Sequence, residues 1–164
     1  MQITNLIFDE IEIGDTTSYS RLITDQEVQA FAAISGDHNP LHLDPEYAAT
    51  TAFGECIAQG MLTGALISAT IAMQLPGPGS VYLSQSVQFR APVLLGDTLT
   101  VTLTVTAKHA KRPWVTLECE VTNQEGKAVA KGEAQVAAPT AKETVTVVPP
   151  PTIQLVEEAS LASD

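Results

Sequence analysis

Apolar and polar residues alternate most strictly near the middle of the chain. Leu99, Val101, Leu103 and Val105 take every second position, with Thr at each position between them. A period of two puts all four on one face of a strand. Val81, Leu83, Gln85, Val87 and Phe89 repeat the pattern, as do Val115, Leu117, Cys119 and Val121. Asn123-Gln124-Glu125-Gly126 is a hairpin turn, after which Ala128 to Val136 returns as a last strand. Thr17 to Ile23 is the earliest strand predicted. Each strand has one apolar face, so the sheet is expected to pack against something on one side only.

The helical signals lie between the first strand and the rest. Thr24-Asp25-Gln26-Glu27 is a capping box, followed by an apolar stripe of Val28, Phe31 and Ile34 and a stop at Ser35-Gly36. Pro40 restricts Asn39 and lacks an N–H, so residues 37–42 are expected to form a loop. Asp44-Pro45 opens a second short helix through Tyr47 and Ala49. From Gly60 to Leu75 the chain is uncharged and apolar on nearly every face. That stretch is short for a membrane span, so it is predicted to be a buried helix wrapped by the sheet. Pro76-Gly77-Pro78-Gly79 stops it.

This order gives an α+β arrangement, an antiparallel sheet round one long central helix. Residues 1–138 form one domain, and residues 139–164 form an extended Pro-, Thr- and Val-rich tail lying on the surface or on a partner subunit. The open sheet edge favours a homodimer.

Composition narrows the function. Apolar residues make up 45% of the 164, enough for a full core, and the formal net charge is −11. Nucleic acid and anionic membrane surfaces are therefore excluded as expected partners. Cys56 and Cys119 form neither a CxxC nor a zinc spacing, and no secretory or peroxisomal signal is read, so a reducing cytoplasmic location is expected. Cys119 falls at an apolar strand position and is expected in the core.

The candidate chemistry lies at Asp37 and His42, five positions apart in a segment shaped by Gly36 and Pro40. A carboxylate and an imidazole brought together can hold one water and share its two proton transfers. Gly-Asp-x-Asn-Pro is equally an ordinary turn in which Asp37 and Asn39 bond their own backbone. His42 and Asp44 are only two potential metal ligands, too few for a site. His38 and His109 are expected at the surface, the latter near Lys108, Lys111 and Arg112.

The segment Ser35-Gly36-Asp37-His38-Asn39-Pro40-Leu41-His42, with Leu43-Asp44 and Ala48-Ala49-Thr50-Thr51, resembles the signature of the MaoC-like hydratases. Gly60-Met61-Leu62-Thr63, Leu75 to Ser80, Gln85 to Phe89 and Pro92 to Asp97 extend the likeness in register. It covers roughly residues 12 to 138 and is strongest to the (R)-specific enoyl-CoA hydratases. The resemblance implies a hotdog fold and reversible addition of water to a trans-2-enoyl-CoA, giving (R)-3-hydroxyacyl-CoA, as in polyhydroxyalkanoate precursor supply. It implies Asp37 as principal base and His42 as its acid/base partner. The Gly60 N–H, at a helix N-terminus, would receive the developing enolate charge, a role worth about 3–4 kcal/mol. Ser68 matches a family position near the aspartate, and Asn39 belongs to the signature itself. Met61, Ala69, Thr70 and Ile71 are assigned to the acyl pocket and Arg90 to the CoA phosphates. No metal and no separate cofactor is expected, since CoA comes as part of the substrate. The residue before Gly60 is usually His in the family and is Gln59 here; Gln cannot titrate, so no proton role falls on it.

Three other readings remain, one of them a hotdog thioesterase that would release free thiol from a saturated acyl-CoA. The same fold could also act as a dehydratase on an acyl-carrier-protein thioester or a branched acyl-CoA. A non-catalytic acyl-CoA-binding subunit is the third, and the intact Asp37–His42 pair argues against it.

Overall fold

The alternating strands assemble into one five-stranded antiparallel sheet in the computed structural model, which describes residues 1–154. The elements are β1 (Gln2–Thr4), β2 (Thr16–Leu22), α1 (Asp25–Ser35), α2 (Pro40–Leu43), α3 (Pro45–Ala49), α4 (Gly60–Met73), β3 (Val81–Phe89), β4 (Thr98–Lys108), β5 (Trp114–Thr122), β6 (Ala128–Ala137) and β7 (Thr144–Thr146). The sheet order is β2-β4-β5-β6-β3. The long Thr-alternating strand β4 is therefore interior, with β2 and β3 at the edges.

The buried row Leu99, Val101, Leu103 and Val105 faces α4, whose Leu62, Leu66, Ile67 and Ile71 complete the core. Val115, Leu117, Cys119 and Val121 line the same face. This is the α+β hotdog arrangement. Burial pushes the Cys119 thiol up to about 11. Gly132 on β6 is obligatory for a local reason. A Cβ there would lie 1.8 Å from the Ser86 carbonyl oxygen on β3, so only glycine lets these strands close.

Four local expectations need correction. The α1 stripe turns further than its spacing implied: Val28 and Ala32 are buried, whereas Ile34 is 81% exposed. Residues 37–42 are not wholly loop. Pro40 opens α2, and Asn39 caps it by accepting from the Leu41 N–H at 3.1 Å. In β3 a register shift between Tyr82 and Ser84 breaks the alternation. Tyr82 and Val87 pack on the core, while Val81 and Leu83 stay exposed. Finally, α4 ends at Met73, and Met61, Ala65, Ala69, Ala72 and Met73 form an exposed uncharged face.

The segment after Ala138 is tied to the N-terminal strand. Strand β7 pairs antiparallel with β1, Gln2 opposite Thr146. Asn5, almost fully buried, clamps the junction by donating to the Pro78 and Ala141 carbonyls and accepting from the Glu143 N–H. Residues 155–164 of the expected tail lie outside the described residues.

Candidate active site

The capping box at Thr24 and Glu27 fixes the start of α1, and Gly36, at φ 77°, ends it. The chain turns there and delivers Asp37 to the surface side of the site. Ser35 Oγ accepts from the Asp37 N–H, and Asp37 Oδ1 accepts from the Asn39 N–H at 3.3 Å. Asn39 then starts α2, which carries His42 inward.

The two candidate residues sit in opposite surroundings. The His42 side chain is 9% exposed and that of Asp37 is 45% exposed. His42 Nδ1 lies 2.7 Å from the Ile57 carbonyl oxygen. A carbonyl only accepts, so Nδ1 carries the hydrogen, and in the neutral ring Nε2 presents its lone pair. Nε2 faces Asp37 Oδ2 at 3.6 Å. That gap exceeds a direct hydrogen bond and suits two groups that share a bridging water.

Ile57 is itself held from two sides. Its N–H reaches the Leu41 carbonyl, and it forms an isolated bridge with Leu94. The Leu94 turn is clamped by buried Asp97, which accepts from the Leu94 N–H and from Gln124 Nε2. The Gly96-Asp97 pair of the sequence signature thus sets, at one remove, the carbonyl that orients His42.

Three residues after Ile57, α4 begins. No side chain caps it, so its first N–H groups remain available to an external acceptor. A Cβ at Gly60 would lie 3.1 Å from Phe89 Cζ, so the ring packs close over this helix end. Gln59 is buried; its Nε2 donates to the Val28 carbonyl at 3.1 Å, joining α1 to the start of α4. Gln59 Oε1 has no hydrogen-bond partner among the described residues.

The structure spreads the sequence candidates over one side-chain cluster, three cavities and the core. Asp37, Asn39 and His42 stand together. Gly60 and Arg90 line one cavity of about 360 Å³ with Phe53, Ile57 and Phe89. Met61 and Ser68 line another of about 330 Å³ with Phe31, Gly64, Tyr82 and Val87. No hydrogen bond among the described residues joins Ser68 to Asp37. Ala69 and Thr70 open instead onto a third cavity, of about 680 Å³, walled by Met1, Ile3, Tyr19, Val147 and Val148. Ile71 is 2% exposed and belongs to the core. Arg90 is exposed at the end of β3, its Nη2 donating to Gln88 Oε1 at 2.6 Å.

Sequence reasoning did not single out Ile57 or Phe89 for roles of their own. A backbone carbonyl leaves no residue-type signal, and Phe89 read only as a strand position.

Residues 10–129 match the MaoC like domain. The chain belongs to the MaoC-like family. Among its relatives, this MaoC-like chain is 46% identical to an (R)-specific enoyl-CoA hydratase of Aeromonas caviae over 79% of its length and 96% of the relative's. It is 42% identical to one of Rhodospirillum rubrum, covering 80% and 91% respectively. The solved R-hydratase PhaJ1 of Pseudomonas aeruginosa in its unliganded form superposes with a TM-score of 0.91 at 48% identity. That superposition covers 95% of this chain and all of PhaJ1.

Proposed function

We propose that this chain is an (R)-specific enoyl-CoA hydratase, a hydro-lyase adding water reversibly to trans-2-enoyl-CoA. The observation that carries the reading is the Asp37–His42 pair, with the His42 tautomer fixed by Ile57 and its Nε2 3.6 Å from the carboxylate. Two hydratase relatives matched over nine-tenths or more of their length support it.

In the hydration direction, a water bound between the pair is deprotonated by Asp37 as its oxygen bonds the β-carbon. The C=C electrons move towards the thioester, whose oxygen gains charge. The N–H groups at the uncapped start of α4 receive that charge. The proton taken up by Asp37 passes to the free Nε2 of His42 and from there to the α-carbon, which regenerates both groups, while the other hydrogen of the water remains on the new hydroxyl. The pantetheine arm leaves through the cavity shared by Gly60 and Arg90. Substrate CoA is the one group the chemistry requires.

The same reading makes the protein a cytoplasmic homodimer that supplies (R)-3-hydroxyacyl-CoA for polyhydroxyalkanoate synthesis. Supporting the dimer, edge strand β3 exposes Val81, Leu83 and Phe89, and α4 exposes an uncharged face beside it. Supporting the supply role, the solved Aeromonas caviae relative, with a TM-score of 0.77, is described as involved in PHA biosynthesis. No helix among the described residues is long and apolar enough to cross a membrane.

Loss of enoyl-thioester absorbance with crotonyl-CoA tests the reading, comparing wild type with Asp37→Asn and His42→Gln and checking that each is folded. Both substitutions should cut kcat by about 10²–10⁴-fold, the usual worth of a positioned acid or base. Activity that survives both would return these residues to a turn.

A further inference from the structure

Lys108, Lys111 and Arg112 are three of the eight Lys and Arg residues in a chain of net charge −11, and they fall within five positions at the β4–β5 turn. Lys108 is consumed internally, its Nζ donating to the Phe8 and Ile11 carbonyls. Lys111 and Arg112 are exposed and enter no ion pair among the described residues. Arg112 stacks on Trp114 at 4.4 Å, and His109 lies against the same ring at 5.6 Å between centroids. A cavity of about 580 Å³ opens there, lined by His109, Lys111, Trp114, Thr116 and Gln135. Exposed cations around a flat aromatic group form a recognition surface for a phosphorylated aromatic ring, a nucleotide.

Within its own chain this turn lies about eight strand residues, roughly 27 Å, from the end of β3 that lines the Gly60–Arg90 cavity. Trp114 and Val81 both pair with Ala137, so the turn is level with the start of β3, whereas Phe89 and Arg90 end that strand. A two-fold pairing of β3 edges reverses the relation. Antiparallel pairing brings the start of β3 in one protomer beside the end of β3 in its partner. The turn then stands roughly 15 Å from the partner's strand end, three inter-strand spacings away. Gln88, which holds Arg90, and Thr116 and Gln135, which line the turn cavity, all point to the outer face of the sheet. The two cation sites therefore share one face.

We infer that His109, Lys111, Arg112 and Trp114 of one protomer bind the nucleotide end of the CoA thioester whose acyl end reacts in the other protomer. The inference rests on the hydratase reading and on the β3-edge dimer.

Trp114 is the chain's one tryptophan, so its emission reports the site directly. Adenosine 3′,5′-bisphosphate and CoA should both quench it, and pantetheine should not. Lys111→Glu with Arg112→Glu should raise KM for crotonyl-CoA by about tenfold or more with little change in kcat. KM for crotonyl-pantetheine, which lacks the nucleotide, should not move. A mixed dimer decides which protomer is served: one chain carries Asp37→Asn, the other the double charge reversal. Low-KM activity is expected, because the one intact Asp37 faces the one intact turn across the interface. High-KM activity in the mixed dimer, or KM values unmoved by the charge reversal, would overturn the inference. A wild type that binds the bisphosphate yet hydrates no enoyl-CoA would sink the hydratase reading and leave the nucleotide site standing.

Discussion

Gly60→Ala separates stability from catalysis at the start of α4. The new methyl would sit 3.1, 3.2 and 3.3 Å from three atoms of the Phe89 ring. Comfortable carbon–carbon contact begins near 3.5 Å, so the ring must retreat by a few tenths of an ångström. The atoms met are the far end of the Phe89 side chain rather than backbone, so a small tilt of the ring supplies that retreat. Against that strain, alanine at this first helical position gains some part of the about 1 kcal/mol it holds over glycine in a helix interior. The two effects nearly cancel, and the melting temperature should move by no more than about 2–4 °C. Catalysis should respond differently. The methyl enters the cavity that Gly60 shares with Arg90, where the thioester must approach the helix N–H groups. A displacement of about 1 Å there costs about 10²-fold in rate, or about 2.7 kcal/mol of barrier. Initial rates with crotonyl-CoA and a urea titration on the same preparation give both quantities. Adding Phe89→Leu should recover part of any lost stability but not the rate, because the methyl itself obstructs the thioester. A folded Gly60→Ala variant with kcat/KM within about threefold of wild type would refute the placement of the thioester at this helix end, since the expected loss is some thirty times larger.

Gly132→Ala should destabilise the fold by about 3 kcal/mol or more, because backbone rather than a flexible side chain blocks the new methyl; the urea midpoint measures it, and a change below about 1 kcal/mol would show that β3 and β6 can separate freely. Thiol labelling at pH 8 should modify Cys56 slowly and spare Cys119, with both reacting in denaturant. Burial raises both thiols, Cys119 to about 11, and the neutral thiol is a poor nucleophile. Rapid labelling of Cys119 in the native protein would mean that the sheet opens locally.

Much of the fold was legible because β4 and β5 bury one side only, and their period of two survives intact over Leu99 to Val105 and again over Val115 to Val121. Strand β3 was misread where its bulge shifts the phase between Tyr82 and Ser84, a backbone event with no residue-type marker. Ile34 was misassigned to the core because helical spacing fixes a face only relative to its own axis; the packing of α1 at Val28, whose carbonyl accepts from Gln59, decides which residues are covered. The Asp37–His42 pair was legible because it is local, five residues on one capped turn. Its alignment was not, because that depends on a carbonyl fifteen positions away at Ile57 and on the Asp97 clamp behind it. The charge cluster at residues 108–112 was visible in the sequence, but its level with Val81 across two strand pairings was not.

The Thr-alternating strand has a cost outside the native state. From Thr98 to Ala107 it contains no charge, no proline and no glycine, and half its residues are β-branched threonine. Such a segment is a strong template for intermolecular cross-β stacking when exposed. In the folded chain it is quenched by lying between β2 and β5 with both edges bonded. Heat should therefore remove this protein from solution by aggregation as soon as β2 or β5 peels away, and its working lifetime should follow the rate of that opening rather than the equilibrium stability. The same Thr-coated outer face that keeps the native sheet wettable thus makes the order of strand loss the determinant of shelf life.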